Sequence, residues 1–249
     1  MDSQQVFAAP ASFAQQGLWY DAEREPDNPA YHVPFAMRLH GDVAAPAITA
    51  ALQAIVDRHE ILRTTFVWQD DGLMQIIHPS MTVALTVEDD AGDEAALDAR
   101  IRAEIHRPFD LVRGPLLRFV LIRRSAREAV LVGTLHHIVT DGWSIGVLKK
   151  EFAAAYAGEV LPELPIQYAD YAQWQRDRSV GAWTDQIAYW RERLRGPLPP
   201  SEIPPDVART DHRSTAGRTE CLRLHPETLE RLRGLSSDAG TTQIGRAHV

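Results

Sequence analysis

Apolar residues recur along this chain in two rhythms. In residues 45–58 they fall at Ile48, Leu52, Ile55 and Val56, one face of a helix. Residues 62–68 and 74–77 read as strands, joined by a turn at Asp70, Asp71 and Gly72. Residues 83–87 predict a third strand, and residues 94–106 predict a helix that Pro108 ends. Residues 116–122 and 129–136 are apolar enough to lie centrally in a sheet. Beyond Ser144 the rhythm changes again. Val147, Leu148, Phe152 and Tyr156 mark one face of a helix over residues 145–156, with Gly158 as its stop. Pro162 and Pro165 mark a connection, and a tryptophan-bearing helical stretch then covers residues 168–194. Pro197, Pro199, Pro200, Pro204 and Pro205 make residues 196–213 an extended linker. Residues 220–224 predict a strand, and residues 226–235 a helix with Pro226 near its first turn. Strands mixed with helices predict an α/β sandwich.

Composition narrows the choice of function. The chain has 249 residues, 45% hydrophobic and 24% charged, which is globular usage and enough for one large domain or two lobes. Its formal charge of −8 argues against a nucleic-acid partner, which needs a concentrated basic surface. The single cysteine, Cys221, allows no disulfide within the chain and no cysteine-based zinc site, and reads as a small apolar strand residue. The opening residues lack a basic stretch followed by an apolar core, so no signal peptide is expected. No apolar run approaches the roughly 20 residues that span a bilayer. These features predict a cytoplasmic protein without membrane partners.

The chemistry concentrates where the last apolar strand gives way to a helix. There the chain reads His136, His137, Ile138, Val139, Thr140, Asp141, Gly142, Trp143, Ser144. Histidine can take or hold a proton near neutral pH. Neighbouring strand residues point to opposite faces, so one histidine can face a cleft while the other packs inward. That divergence also argues against one metal shared by the pair, although imidazole and carboxylate both bind zinc or iron. A lone strand histidine is most often structural, so the pattern as a whole carries the case. Asp141 can pair with a cation and lock the loop. Gly142 allows a backbone conformation closed to other residues and leaves room for a substrate. No cysteine or serine has the surroundings of an activated nucleophile. Chemistry on two bound substrates, without a covalent intermediate, fits best.

The motif resembles the HHxxxDG signature of non-ribosomal peptide synthetase condensation domains, members of the chloramphenicol-acetyltransferase-like superfamily. Five further segments resemble that family in order. Residues 12–19, Ser12 to Trp19, are similar to its first motif, and residues 58–66, Arg58 to Phe66, to its second. Phe109 to Leu111 with Gly114 to Arg118 resembles the stretch before the catalytic strand, and Tyr168 to Gln175 the fourth motif. Tyr189 and Trp190, with Leu194 and Gly196, resemble the usual entry to the linker. The first motif usually carries arginine where this chain has Gly17, which removes an ion pair or hydrogen bond and bears on local packing.

The resemblance implies a two-layer α/β sandwich lobe of the chloramphenicol-acetyltransferase type. It implies amide formation between an acyl or peptidyl thioester and an aminoacyl thioester. The two would be held on upstream and downstream peptidyl carrier proteins, loaded by the adenylation domain of the same assembly line. No cofactor is bound directly; phosphopantetheine arms come with the carriers, and neither metal nor ATP is required. His137 would be the base or would position the amine. Gly142 would admit substrate and point its N–H at the oxyanion. His136 would support its neighbour's tautomer. Asp141 would be structural, paired with Arg63, so that Asp141→Asn should lose folding or solubility. The alternatives within the superfamily are an epimerisation domain or a stand-alone acyltransferase. A degenerate carrier-docking domain is the non-enzymatic reading.

The family domain is about twice as long. The resemblance therefore divides the chain into an N-terminal lobe (1–176), a helical and proline-rich linker (177–213) and the start of a second lobe (214–243). Residues 244–249 do not resemble the family and match a reading frame of a sequencing adapter, so they are expected to be non-biological. A chain with one wall of a two-lobed tunnel is expected to be inactive alone and prone to aggregate.

Overall fold

The computed structural model describes residues 6–70, 72–89, 92–198 and 222–242. The chain divides into two compact units, Met1–Val207 and Ala208–Val249. The first unit holds two sheets. One is four-stranded with the order β2-β7-β6-β5, built from β2 (His32–His40), β5 (Leu85–Asp89), β6 (Leu117–Ser125) and β7 (Glu128–His136). All its pairings are antiparallel except β5 with β6. The other has the order β1-β4-β3, from β1 (Phe7–Pro10), β3 (Thr64–Gln69) and β4 (Gly72–Ile77), all antiparallel. Among the described residues, no helix is long and apolar enough to cross a membrane.

β7 is central and buried on both faces, as its unbroken apolar run predicts. On one face Leu131 and Leu135 meet Ile48, Leu52 and Ile55 of α2 (Ala45–Arg58) and Leu148 and Phe152 of α4 (Gly142–Tyr156). On the other, Val130 and Val132 meet Leu97 of α3 (Glu94–His106). Gly133 sits opposite both Phe35 and Phe119. A Cβ there would lie 2.3 Å from the Phe35 ring, so only glycine lets the two aromatic rings cover the middle of β7.

Several elements differ in their bounds from those the pattern predicts. The helix predicted over 145–156 begins at Gly142, because Asp141 caps it. The stretch predicted as one helix over 168–194 is two, α5 (Tyr168–Ala182) and α6 (Thr184–Arg193). The break follows Gly181, whose φ of +85° no right-handed helix accepts. In the second unit, α7 (Pro226–Asp238) extends the helix predicted there. Leu222, Arg223 and Leu224 are not a strand. Glu220 and Cys221, Asp71 of the predicted turn, most of the proline-rich linker and the tail at 244–249 lie outside the described residues.

Three elements are not evident from the apolar pattern: β1, α1 (Phe13–Arg24) and β2. β2 carries Pro34, which argues against a strand, yet β2 is an edge strand where proline is tolerated. The start of α1 is a capping box. The Ser12 hydroxyl accepts the Gln15 N–H, and the Gln15 side chain accepts the Ser12 N–H.

Candidate active site

The two histidines sit where β7 ends, held from both sides. The His136 N–H donates to the Leu116 carbonyl (3.0 Å) and the His137 N–H to the Tyr31 carbonyl (2.8 Å). The strand's alternation then separates the rings as expected. His136 is 5% exposed, whereas His137 is exposed to solvent. The His137 ring touches Tyr31 edge-on, with centroids 6.4 Å apart. Among the described residues, neither of its ring nitrogens has a hydrogen-bond partner.

His136 is a different chemical object. Its ring lies edge-on to Phe109 (6.0 Å) and beside His32 (6.1 Å). The Arg118 guanidinium covers the Phe109 ring at 3.8 Å. Burial pushes the His136 imidazolium pKa down to about 4, with repulsion from His32 and His137 adding to the effect. The ring is therefore neutral near pH 7. Its Nδ1 accepts the Ile138 N–H (3.1 Å), so the proton sits on Nε2. The ring lines a cavity of about 510 Å³ whose walls include Asp21, Tyr31, His32 and Phe109. His32 is tied through Nδ1 to the Ile105 carbonyl at 2.5 Å, and burial lowers its pKa too.

Asp141 and Arg63 do not pair. The Asp141 carboxylate accepts both the Ser144 N–H and the Ser144 hydroxyl at 2.7 Å, as the N-cap of α4. Those bonds depress its pKa below the usual aspartate value, the Ser144 N–H contributing most. Arg63 closes a single turn, Glu60–Arg63, and donates to the His78 carbonyl (2.7 Å) and to Glu60 (3.5 Å). Its guanidinium is thereby committed to the end of β4. The ion pair implied by resemblance is replaced by a helix cap, and the expected effect of mutation changes with it. Asparagine caps as well as aspartate does, so Asp141→Asn keeps the fold, while Asp141→Ala costs about 1 kcal/mol. Denaturant midpoints check this; an asparagine variant as unstable as the alanine variant would restore a charge-based role.

Gly142 is the first residue of α4 and does not have positive φ. The conformational argument for glycine therefore fails here, and the spatial one holds. Apart from its chain neighbours and its own helix backbone, nothing lies within 4 Å of where its Cβ would be. Its N–H has no acceptor among the described residues and belongs to the unpaired donors at a helix N-terminus. Trp143 beside it is 84% exposed.

Residues 6–244 match the family model described as the condensation domain. The chain belongs to the condensation-domain family. It is 38% identical over 245 residues to chondramide synthase cmdD of Chondromyces crocatus, covering 94% of this chain and 6% of that protein. It is 39% identical to phosphinothricin tripeptide synthetase PhsC of Streptomyces viridochromogenes, covering 94% of this chain and 23% of that protein. Among solved structures, the X-domain in its complex with OxyB from teicoplanin biosynthesis matches with a TM-score of 0.82 and 33% identity. That match covers 96% of this chain and 54% of its counterpart. The starter condensation domain of rhizomide synthetase RzmA matches with a TM-score of 0.68 and 25% identity, over 76% of this chain and 48% of that one. The chain spans about half the length of these solved neighbours and a smaller share of the two synthetases. The fold is a chloramphenicol-acetyltransferase-like condensation lobe, as expected.

In this condensation lobe, the residues around the histidines are not legible as site residues in the sequence, although Phe109 lies in a stretch that resembles the family. Tyr31, His32 and Phe109 surround the pair, and the fold rather than closeness in sequence brings them there. His32 stands directly opposite His136 in the β2–β7 register. Gly17 lies exposed on α1 with no atom within 4 Å of a would-be Cβ. A side chain could therefore start from this position without a clash.

Proposed function

We propose that this chain supplies the histidine-bearing side of a site that joins an acyl or peptidyl thioester to an aminoacyl thioester, each carried by a peptidyl carrier protein. The observation that carries this reading is His137: exposed, held by its backbone, with both ring nitrogens open to a substrate. The free amine attacks the upstream thioester carbonyl. As the C–N bond forms, His137 takes a proton from the amine nitrogen. The C–S bond then breaks, the sulfur takes that proton from His137 and leaves as the upstream carrier's pantetheine thiol, and the amide stays on the downstream carrier.

An α-amine has a pKa of about 7.7–8.0, so a useful fraction is neutral near pH 7–8. The thioester already stores the driving force. What remains is orientation, which can supply several kcal/mol, and proton removal. The open N–H of Gly142, at the positive end of α4, is suited to the developing oxyanion. His136 stays neutral and holds the Ile138 N–H, which fixes the turn beside its neighbour. The phosphopantetheine arms belong to the carriers. Peptide synthetases among the relatives support carrier and adenylation domains as partners. The chain spans about half the length of these solved neighbours, so the activity is proposed for the whole protein that carries it.

The reaction class is tested with the synthetase that carries this chain, an upstream carrier loaded with an acyl group and a downstream carrier loaded with an amino acid. Intact-protein mass spectrometry should show the acyl mass moving to the downstream carrier and a free thiol on the upstream one. Inversion of a single carrier-bound residue without transfer would mean epimerisation. Transfer to a free amine alone would mean a stand-alone acyltransferase, and no change on either carrier would favour a docking domain.

A further inference from the structure

We infer that Gln15 is a positioning residue for His137, acting through the backbone of the turn that carries it; this rests on the reading of His137 given above. The turn is short and nearly self-sufficient. The Ile138 N–H is taken by the His136 ring, the Val139 N–H by the His136 carbonyl and the Thr140 N–H by the His137 carbonyl. Among the described residues, two ties reach it from elsewhere in the fold. The Tyr31 carbonyl accepts the His137 N–H at 2.8 Å, and Gln15 Nε2 donates to the Ile138 carbonyl at 3.2 Å. They grip the backbone on either side of the His137 Cα. Gln15 is the side chain of the two, and the donor to the Ile138 carbonyl among the described residues.

The carboxamide can sit only one way round. Its Oε1 accepts the Ser12 N–H at 2.9 Å, so its Nε2 must face the two acceptors, the Ile138 carbonyl and Gln75 Oε1 at 3.3 Å. Gln75 is oriented in turn, because its Nε2 donates to the Pro10 carbonyl at 2.9 Å. Gln15 and Gln75 are each 1% exposed and Ile138 is 3% exposed, so water does not substitute for a lost bond. The result is a buried polar strut from the start of α1 and from β4 to the turn. It places side-chain amides where apolar residues would pack, and its far end is the Ile138 carbonyl, one residue beyond His137.

A misplaced catalytic group costs rate more than binding. Gln15→Met keeps the bulk and removes the donor; in the intact synthetase it should lower the single-turnover rate about 10²-fold, with the KM for both loaded carriers unchanged within about twofold. In a His137→Ala background the same substitution should have no further effect, because a residue that acts through His137 has nothing left to position. A purely structural role would instead lower both rates alike, or raise KM. Gln15→Glu provides a second reading should the methionine variant not fold. Its protonated carboxyl still donates to Ile138 and its carboxylate does not, so its rate relative to the parent falls as pH rises. A methionine variant with the parent rate, additive losses in the double variant, or a flat pH ratio for the glutamate variant would each overturn the inference. If His137→Ala itself kept the parent rate, the reading of the site would fail first; if only Gln15→Met kept it, the strut alone would be wrong.

Discussion

Acidification from pH 7 to pH 5 is expected to cost the folded chain about 2 kcal/mol through His136 alone, rising to about 3 kcal/mol at pH 4. The sign follows from burial. In the fold the His136 pKa is pushed from 6.5 down to about 4, while the unfolded chain keeps the ordinary value. Between those two values the unfolded chain binds the extra proton. The stabilisation is therefore complete above pH 6.5, declines as pH falls, and is lost once pH passes the folded value near 4. His32 is shifted in the same direction by burial and adds to the loss. Asp141, whose pKa is depressed, adds its own loss only at lower pH, below the ordinary aspartate value of 3.8. Denaturant unfolding of the parent and of His136→Gln at pH 7 and pH 5 separates these contributions. The variant should lose about 2 kcal/mol less than the parent over that interval. Equal losses would mean that His136 is not buried as a neutral ring.

Replacing His137 by alanine is expected to slow amide formation by about 10²–10⁴-fold, the range over which a positioned general base acts. The same change should alter stability by no more than about 0.5 kcal/mol. The contrast comes from geometry. The His137 ring is exposed and makes no hydrogen bond among the described residues, so truncation removes no packing of consequence. Its backbone tie to Tyr31 survives the substitution. His136→Ala should behave in the opposite way, because it empties a buried site and frees the Ile138 N–H.

The sequence is most legible where one physical demand dominates. β7 is buried on both faces, so it must be apolar throughout, and the switch to helical spacing at α4 marks its end. The separation of the two rings, one buried and one exposed, is legible because neighbouring residues at the end of a strand point apart. Legibility is poorest where two demands compete. Pro34 hides β2 because an edge position excuses what a central strand forbids. The pairing of Asp141 with Arg63 came from resemblance, and local chemistry overruled it: an aspartate three residues before Ser144, at the start of a helix, is a cap. His32 has no local signal at all, since its place opposite His136 depends on pairing between two strands from distant parts of the chain.

Of the two histidines, the proposed base is His137, whose ring is exposed. The direct measurement is the single-turnover rate of amide formation with both carriers preloaded, in the complete synthetase, for the parent and for His137→Ala. A drop of about 10²–10⁴-fold, with unfolding unchanged, is the predicted result. A rate within about threefold of the parent would contradict it and leave orientation, not proton transfer, as the whole of catalysis at this site.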